Sequence, residues 1–346
     1  MIKTLLNKIK SNFLFIFIKS LKTSFQTVIK FKKNRKDMNL FDLYNFFIIR
    51  SIFGLTYFRN KISYRKTSEI EEFNNFEYPL KKNKILGDLV EKGFSDQIKL
   101  KDELKGNLLN EILQNLKNSQ IIFKDKSIKK KEITFKNKED VEEYLFKSNV
   151  HIINHSIDMG KPVLLNKIFR SEFFVKLAKD YLNDDKITIV PSFFISSPKK
   201  NLDADTSNID KLLSLSAQEY HFDVDFKKFY KIFVYFSDVL NEANGCHVYI
   251  PKTHREKRID NMITSRFTTF DIEKNYTPNF FLGEVGTTFL TDTFGIHKGT
   301  PVLKGTRLTL IFEYGKGHFP FNNNCTYIWL KLLNFFWKFY NFIKFF

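Results

Sequence analysis

Residues 217–225 read Ala-Gln-Glu-Tyr-His-Phe-Asp-Val-Asp, and this stretch is the best guide to the fold and chemistry of the chain. It places His221 and Asp223 one residue apart at the end of a predicted short strand. A second histidine, His297, follows 74 residues after Asp223, and Arg307 lies ten residues beyond it. Two imidazoles and a carboxylate are the ligands of a facial triad, which holds Fe(II) on one side and leaves the opposite positions open. An arginine on the following strand would anchor a distant carboxylate.

The composition predicts a globular protein with a sizeable core. The chain has 346 residues, 43% of them hydrophobic, which excludes a disordered chain and allows one large domain or two smaller ones. The two cysteines, Cys246 and Cys325, imply no disulfide framework and favour a reducing compartment.

The formal net charge of +18 is concentrated at the two ends of the chain. Residues 1–70 hold 15 Lys or Arg and three acidic residues, a net charge of +12, while residues 315–346 hold four Lys and no acidic residue. The remaining residues, 71–314, are left with only +2. A nearly neutral middle segment argues against nucleic acid as a partner.

Three segments are predicted from these patterns. Residues 1–83 form a basic, Phe-rich helical extension, residues 84–320 the catalytic domain, and residues 321–346 an amphipathic aromatic helix with one narrow polar stripe. The ends either pack on the protein or lie on a membrane surface, and the C-terminal helix has dimerisation as a further alternative. No apolar run approaches the roughly 20 residues of a spanning helix, and no secretory signal is recognised. The expected location is cytoplasmic, with peripheral membrane contact as an alternative.

The middle segment combines helical and strand patterns. Helical spacing is followed by runs rich in β-branched and aromatic residues with Gly and Pro between them, which predict a mainly β jelly-roll or related barrel with flanking helices. The predicted helices cover residues 85–94, 104–116, 139–146 and 163–182, a surface loop covers 124–138, and the predicted strands cover 186–196, 231–236, 247–250, 287–290 and 307–313.

Five stretches of this sequence resemble the phytanoyl-CoA dioxygenase family. They read AQEYHFDVD, KIFVYFSDV, NGCHVYIPKTH, TDTFGIHKGTP and GTRLTLIFEY, and the similarity is densest over residues 217–314. The metal motif is shared with a wider superfamily, whereas the G-C-x-V-x-x-P-x-T-H stretch is more specific to this family. The resemblance implies Fe(II)- and 2-oxoglutarate-dependent oxygenases built on a double-stranded β-helix, a cupin-like jelly roll. It does not cover the two ends.

Carried onto this chain, the resemblance implies that His221, Asp223 and His297 bind iron. The co-substrates would be 2-oxoglutarate and O2, and the products would include succinate and CO2. Family members that halogenate have a small residue in place of the carboxylate, so Asp223 implies hydroxylation or a related oxidation. Asp225 is a rival ligand, but its position favours an exposed strand or loop where it would bind water or a lysine.

The co-substrate contacts are predicted on two strands. Arg307 is the candidate for the distal C5 carboxylate of 2-oxoglutarate, and Thr309 lies on the same strand face as a hydroxyl donor. Lys231 and Tyr235 share a face of the strand after the metal motif, and both are candidate contacts to the co-substrate.

The other histidines receive structural interpretations. His254 is expected to close a strand, and His247 to satisfy a local backbone hydrogen bond. His151 and His155 are four residues apart and would share one face of a helix, without a third ligand nearby.

The sequence thus predicts a 2-oxoglutarate-dependent dioxygenase that hydroxylates a small metabolite or a lipid-linked or carrier-linked substrate. Two alternatives stay open. One is a non-catalytic, membrane-associated binding protein on the same barrel, and the other is a cupin-like metalloenzyme that does not use 2-oxoglutarate.

Overall fold

The computed structural model describes residues 73–125, 127–198, 216–223, 225–226, 228–255 and 266–316. Almost all of the predicted N-terminal extension and the whole predicted C-terminal helix lie outside these ranges, and so do their proposed membrane contacts. None of the helices within the described ranges is long and apolar enough to cross a membrane.

Short amphipathic helices flank the sheets, and most of them precede the barrel in the chain. Several end where the sequence supplies an appropriate residue, such as Asn183, which adopts the left-handed conformation that ends a helix. The described helices are α1 (Lys82–Glu91), α2 (Asp102–Gln114), α3 (Lys138–Lys147), α4 (Val163–Phe169), α5 (Glu172–Leu182) and α6 (Thr269–Glu273).

The strands form two antiparallel sheets. The described strands are β1 (Ile98–Lys99), β2 (Leu116–Phe123), β3 (Ile128–Lys131), β4 (Val150–Ile157), β5 (Ile187–Ser196), β6 (Tyr220–His221), β7 (Phe229–Tyr235), β8 (His247–Tyr249), β9 (Arg266–Phe267), β10 (Asn279–Phe281), β11 (Thr287–Thr291), β12 (His297–Gly299) and β13 (Arg307–Lys316).

The chain crosses repeatedly between the two sheets. The larger sheet has the order β1-β11-β7-β13-β5-β4-β2-β3, and the smaller has the order β10-β8-β12-β6-β9. From β5 to β8, and again from β10 to β13, successive strands belong to alternate sheets. Two facing antiparallel sheets connected in this way are a double-stranded β-helix, a form of jelly roll. The predicted fold class, mainly β with flanking helices, is confirmed.

Strict alternation along β13 gives the larger sheet two different faces. The side chains of Leu308, Leu310 and Phe312 belong to the core beneath the helices, where the Phe312 ring stacks on Phe169 of α4 with centroids 4.6 Å apart. Arg307 and Thr309 are on the opposite face of the strand, which points toward the smaller sheet. Because side chains alternate along β13, one face of the strand packs in the core and the other carries the predicted co-substrate residues.

A second core fills the space between the sheets, and it is mainly aromatic. The rings of Phe281 on β10 and Phe289 on β11 stack with centroids 4.2 Å apart, and Phe233 on β7 stacks on Phe289 at 5.3 Å. These contacts join strands of both sheets, so they hold the barrel closed around its interior.

The structure corrects three local predictions. Residues 150–157 form strand β4, so His151 and His155 share a strand face rather than a helix face. The β-branched composition of this stretch and its pairing between β2 and β5 decide the outcome. The predicted helix over residues 163–182 is two helices, separated at Arg170 and Ser171. The predicted loop over residues 124–138 contains the exposed strand β3.

A buried ion pair joins α1 to α5. Lys82 Nζ lies 2.6 Å from Asp180 Oδ2, and the two side chains are 0% and 2% exposed. Replacing Lys82 with Met leaves the carboxylate buried without this cation, so we expect the free energy of unfolding to fall by about 3 kcal/mol. Denaturant titration at pH 7 measures this change. The double variant Lys82→Met/Asp180→Leu should recover most of the loss, and a double variant as unstable as the single one would contradict the explanation.

Candidate metal and co-substrate site

Two short neighbouring strands bring the predicted metal ligands together. His221 ends β6 and His297 begins β12, and the two residues are direct partners in the antiparallel register. Their ring centroids are 4.3 Å apart. Asp223 follows β6, and its backbone N–H donates to the carbonyl of Thr293 at 2.8 Å, which ties the metal motif to the loop before the second histidine.

The three side chains converge on one point. Asp223 Oδ1 lies 3.5 Å from His221 Nε2, and Asp223 Oδ2 lies 3.5 Å from His297 Nε2. One ligand atom from each residue lies within 4.8 Å of the other two. Both imidazoles are buried, and the carboxylate is half-buried. The arrangement has the size and ligand types of a facial triad.

Hydrogen bonds on the far side of each ring fix its tautomer. Nδ1 of His221 lies 2.8 Å from the carbonyl oxygen of Glu219, and Nδ1 of His297 lies 3.0 Å from that of Gly295. Because a carbonyl only accepts, Nδ1 is assigned as the protonated nitrogen in both rings. In the neutral form of each ring the lone pair is then on Nε2, which faces the Asp223 carboxylate. Lone pairs and carboxylate oxygens repel each other, so a cation between them fits the site, and Fe(II) is suitable.

Lys231 of β7 lies beside the predicted metal ligands. Its Nζ donates to Asp223 Oδ2 and to Asp225 Oδ2, each at 2.9 Å, and lies 3.7 Å from Glu313 Oε1. Burial opposes ionisation of Asp223, but the charge of the Lys231 ammonium and its hydrogen bond outweigh burial and hold the pKa of that carboxyl well below its usual range. Asp225 contacts this lysine, as expected, and is not among the converging ligands. The predicted contact of Lys231 to the co-substrate stays a prediction.

Replacing Lys231 with Met removes the ammonium shared by these carboxyl groups. We expect the metal-free protein to lose about 3 kcal/mol of stability at pH 7. Because the pKa of Asp223 is depressed in the folded protein, its stabilising contribution is present above the unfolded pKa near 4 and is lost as the pH falls through the folded pKa. The difference between the variant and the wild type should therefore shrink below about pH 4.

Denaturant titrations of the metal-free protein between pH 3 and pH 8 measure this dependence. Lys84→Met is the matched control, because Lys84 forms an exposed ion pair with Asp96 and such pairs contribute little. A constant difference between the wild type and Lys231→Met across this pH range would contradict the role assigned to Asp223.

Arg307 is held at the open end of the smaller sheet. Its Nη1 donates to the carbonyl of Gly245, and its Nη2 donates to Ser196 Oγ at 3.1 Å. The guanidinium lies over Gly299, where a Cβ atom would be 3.0 Å from Nη1, so the missing side chain makes room for it. Arg307 Nε is buried and has no hydrogen-bond partner among the described residues.

Thr309 and Tyr235 lie on paired strands next to this arginine. Thr309 Oγ1 is buried, and nothing in the described part of the chain hydrogen-bonds to it. Tyr235 is in register with Thr309, and its hydroxyl donates to the carbonyl of Phe281 at 3.1 Å while accepting from the backbone N–H of His247 at 2.9 Å. An unpaired guanidinium N–H and a hydroxyl fit a ligand carboxylate. The tyrosine's predicted co-substrate contact is not tested by these bonds.

His247 is the residue that the sequence interpretation placed wrongly. Its backbone N–H donates to the Tyr235 hydroxyl of β7, and its ring faces the interior, 4.6 Å from the Phe233 ring and 5.4 Å from the His297 ring. Burial, together with the guanidinium of Arg307, holds the pKa of His247 well below its usual value, so the ring is neutral. The sequence feature that could have indicated this position is the alternation of side chains between the two faces of the three-residue strand β8.

The remaining histidines make structural contacts. His151 Nε2 lies 3.2 Å from Gln218 Oε1, and His155 Nδ1 lies 2.7 Å from Ser119 Oγ. Burial lowers the pKa of His155 to about 4. His254 Nε2 bonds to the backbone carbonyl of Val90 at 3.1 Å, consistent with its expected structural role. Within the described ranges, none of these histidines joins a group able to hold a metal ion.

No family model matches the chain, and no curated protein matches it. Among solved structures, it is similar to the non-heme alpha ketoglutarate dependent epimerase SnoN from nogalamycin biosynthesis, with 11% identity, a TM-score of 0.44, and 68% of this chain and 83% of SnoN covered. AviO1 from Streptomyces viridochromogenes Tue57 shares 11% identity with a TM-score of 0.41, over 69% of this chain and 96% of AviO1.

HygX from Streptomyces hygroscopicus, solved with nickel and 2-oxoglutarate bound, shares 14% identity with a TM-score of 0.40. The likeness covers 68% of this chain and 87% of HygX. At these scores the functional assignment depends on the residues of this chain.

Proposed function

We propose that the protein is an Fe(II)- and 2-oxoglutarate-dependent oxygenase that acts on a small molecule. The observation that carries this proposal is the convergence of two histidine Nε2 atoms on the carboxylate of Asp223, in the same interior as an arginine with an unpaired N–H. A metal site alone fits many enzymes. A metal site that lies in the same interior as a buried arginine able to bind a carboxylate fits a keto-acid co-substrate.

His221, Asp223 and His297 would hold the metal. When bound, Fe(II) would activate O2 as the oxidant, with one oxygen atom going to 2-oxoglutarate as it is oxidised to succinate and CO2 and the other used to oxidise the substrate. The hydrogen bonds to the Glu219 and Gly295 carbonyls orient the imidazoles with Nε2 toward Asp223, which favours ligation of a divalent ion. Lys231 holds the Asp223 carboxyl ionised, so that a ligand oxygen is available without loss of a proton.

Arg307 and Thr309 would bind the distal carboxylate of 2-oxoglutarate. A buried carboxylate needs a paired charge and hydrogen-bond donors, and the Nε–H of the arginine and the threonine hydroxyl supply both. The aromatic rings of Phe233, Phe281 and Phe289 lie against the interior and exclude water from it. Arg307 and Thr309 would thus orient the co-substrate, and the metal held by His221, Asp223 and His297 would bind its other end.

The finer assignment is a hydroxylase of the phytanoyl-CoA dioxygenase type. Its support is the set of motifs over residues 217–314, together with the retained carboxylate of Asp223 at the metal site. Under this proposal the substrate is a small metabolite or a lipid-linked or carrier-linked group.

Isothermal titration of the full chain with Mn(II), and then with 2-oxoglutarate, tests the proposal. We expect one metal ion per chain and 2-oxoglutarate binding that requires the metal. Metal binding without 2-oxoglutarate binding would overturn the proposal in favour of a cupin-like metalloenzyme with other chemistry. Absence of both would favour a non-catalytic binding protein.

A further inference from the structure

We propose that His247 is a third polar contact to the distal carboxylate of 2-oxoglutarate, alongside Arg307 and Thr309. The inference rests on the proposed function, because the ligand is that co-substrate. From the sequence, His247 was expected only to satisfy a local backbone hydrogen bond, whereas its ring occupies the interior that the co-substrate would enter.

The strand register places the ring on the interior side of the smaller sheet. His247 on β8 is paired with Gly299 on β12, and Tyr249 is paired with His297. Directly paired residues and residues two apart lie on the same face of a sheet, so His247 shares its face with His297. Stacking of the two rings, with centroids 5.4 Å apart and planes inclined at 27°, agrees with this placement.

The same register places His247 next to the guanidinium of Arg307. The guanidinium lies over Gly299, the pairing partner of His247, and donates to the carbonyl of Gly245, two residues earlier in the chain. Tyr235 links His247 to Thr309. Its hydroxyl accepts a hydrogen bond from the backbone N–H of His247, and Tyr235 is the pairing partner of Thr309 between β7 and β13. The imidazole therefore lies between the metal ligands and the carboxylate anchor.

The Nε2 atom of the His247 ring has no hydrogen-bond partner among the described residues around it. Phe233, Phe281 and Phe289 pack against the imidazole with centroids 4.6, 5.6 and 5.4 Å away. His247 Nε2 is buried, and none of the described residues hydrogen-bonds to it. Buried polar atoms are normally paired, so an unpaired one in the interior between the two sheets indicates a ligand. A neutral imidazole with its proton on Nε2 donates to a carboxylate without adding a second full positive charge beside Arg307.

Three polar groups in the interior between the two sheets lack hydrogen-bond partners among the described residues, and together they suit one carboxylate. Arg307 Nε, Thr309 Oγ1 and His247 Nε2 are each buried and lack a hydrogen-bond partner within the described ranges. A carboxylate has two oxygens and about four acceptor positions, so it can accept from all three donors. The proposed contact also selects against keto acids that end in a methyl group, because these leave the three donors unpaired.

The test measures 2-oxoglutarate affinity of the Mn(II)-loaded full chain by isothermal titration. His247→Phe keeps the aromatic packing and removes the donor, and we expect its dissociation constant to rise roughly 10-fold or more. His247→Gln keeps an N–H donor and should stay within about threefold of the wild type. The probe 2-oxopentanoate lacks the distal carboxylate, and its affinity should be the same in the wild type and both variants. Metal affinity and the melting temperature are measured in parallel.

The outcomes separate this inference from the proposed function. If the wild type binds 2-oxoglutarate and His247→Phe binds it equally well, the inference is wrong and the proposed function stands. A variant that loses affinity for both keto acids to the same extent would show a packing role, which also overturns the inference. If the wild type binds no 2-oxoglutarate, the proposed function itself fails. Should His247→Phe not fold, the pair His247→Leu and His247→Asn makes the same comparison.

Discussion

Replacing His221 with Ala is expected to lower the affinity for Fe(II) by more than about 100-fold, since loss of an outer partner of a metal ligand alone costs 10–100-fold. The remaining ligands, Asp223 and His297, would leave a site with two protein ligands in place of three. Turnover of 2-oxoglutarate should be lost with the metal. The fold should be retained, because the two sheets are held by core contacts outside the site. Equilibrium dialysis with Fe(II) under anaerobic conditions measures the affinity, and circular dichroism measures the melting temperature.

A buried histidine outside the site provides the matched control. His155→Ala removes an imidazole that contacts Ser119 and is fully buried, so it has a similar packing cost but no effect on metal affinity. His297→Ala should behave like His221→Ala, because the two residues are paired across β6 and β12. A His221→Ala variant that binds Fe(II) as tightly as the wild type would contradict the assignment of the site.

Replacing Arg307 with Leu is expected to raise the dissociation constant of 2-oxoglutarate about 100-fold, or ~3 kcal/mol. The leucine keeps apolar volume but offers neither positive charge nor N–H donors to the distal carboxylate. Fe(II) affinity should change little, because the guanidinium does not contact the metal ligands in the described structure. Isothermal titration of the Mn(II)-loaded protein measures both affinities.

Two comparisons make this result specific. Arg170→Leu removes an exposed arginine at the end of α4 and should leave 2-oxoglutarate affinity unchanged. The affinity for 2-oxopentanoate, which lacks the distal carboxylate, should be the same in Arg307→Leu and in the wild type. Equal losses for the two keto acids would indicate that Arg307 supports the barrel rather than the carboxylate.

Local sequence patterns predicted the parts of the fold that depend on period-two alternation. Strand β13 reads R-L-T-L-I-F-E-Y, and its apolar positions pack under the helices while Arg307 and Thr309 face the interior. Spacing within the H-x-D motif similarly indicated that His221 and Asp223 lie near each other. The convergence of His297 on this pair was expected from its order in the chain, and the register of β6 with β12 provides it.

The features that the sequence did not predict depend on contacts between segments that are far apart in the chain. The neighbours of His247 come from β7, β10, β11 and β12, and no local pattern shows that these strands surround it. Strand β4 was missed because its polar histidines suggested a helix face, whereas one ring nitrogen of each contacts a side chain from a distant segment, Ser119 for His155 and Gln218 for His151. The ion pair of Lys231 with Asp223 joins β7 to the residue that lies two positions after His221, and the sequence did not indicate this contact.

The most direct test of the central claim is an anaerobic titration of the purified full chain with Fe(II) and then with 2-oxoglutarate, followed by visible absorption. The account predicts a metal-to-ligand charge-transfer band that appears only when both are present, because chelation requires the metal ligands and the carboxylate anchor in one chamber. The band should be lost in His221→Ala, and in Arg307→Leu it should appear only at much higher 2-oxoglutarate concentrations. Bound Fe(II) without a band at saturating 2-oxoglutarate would contradict the account.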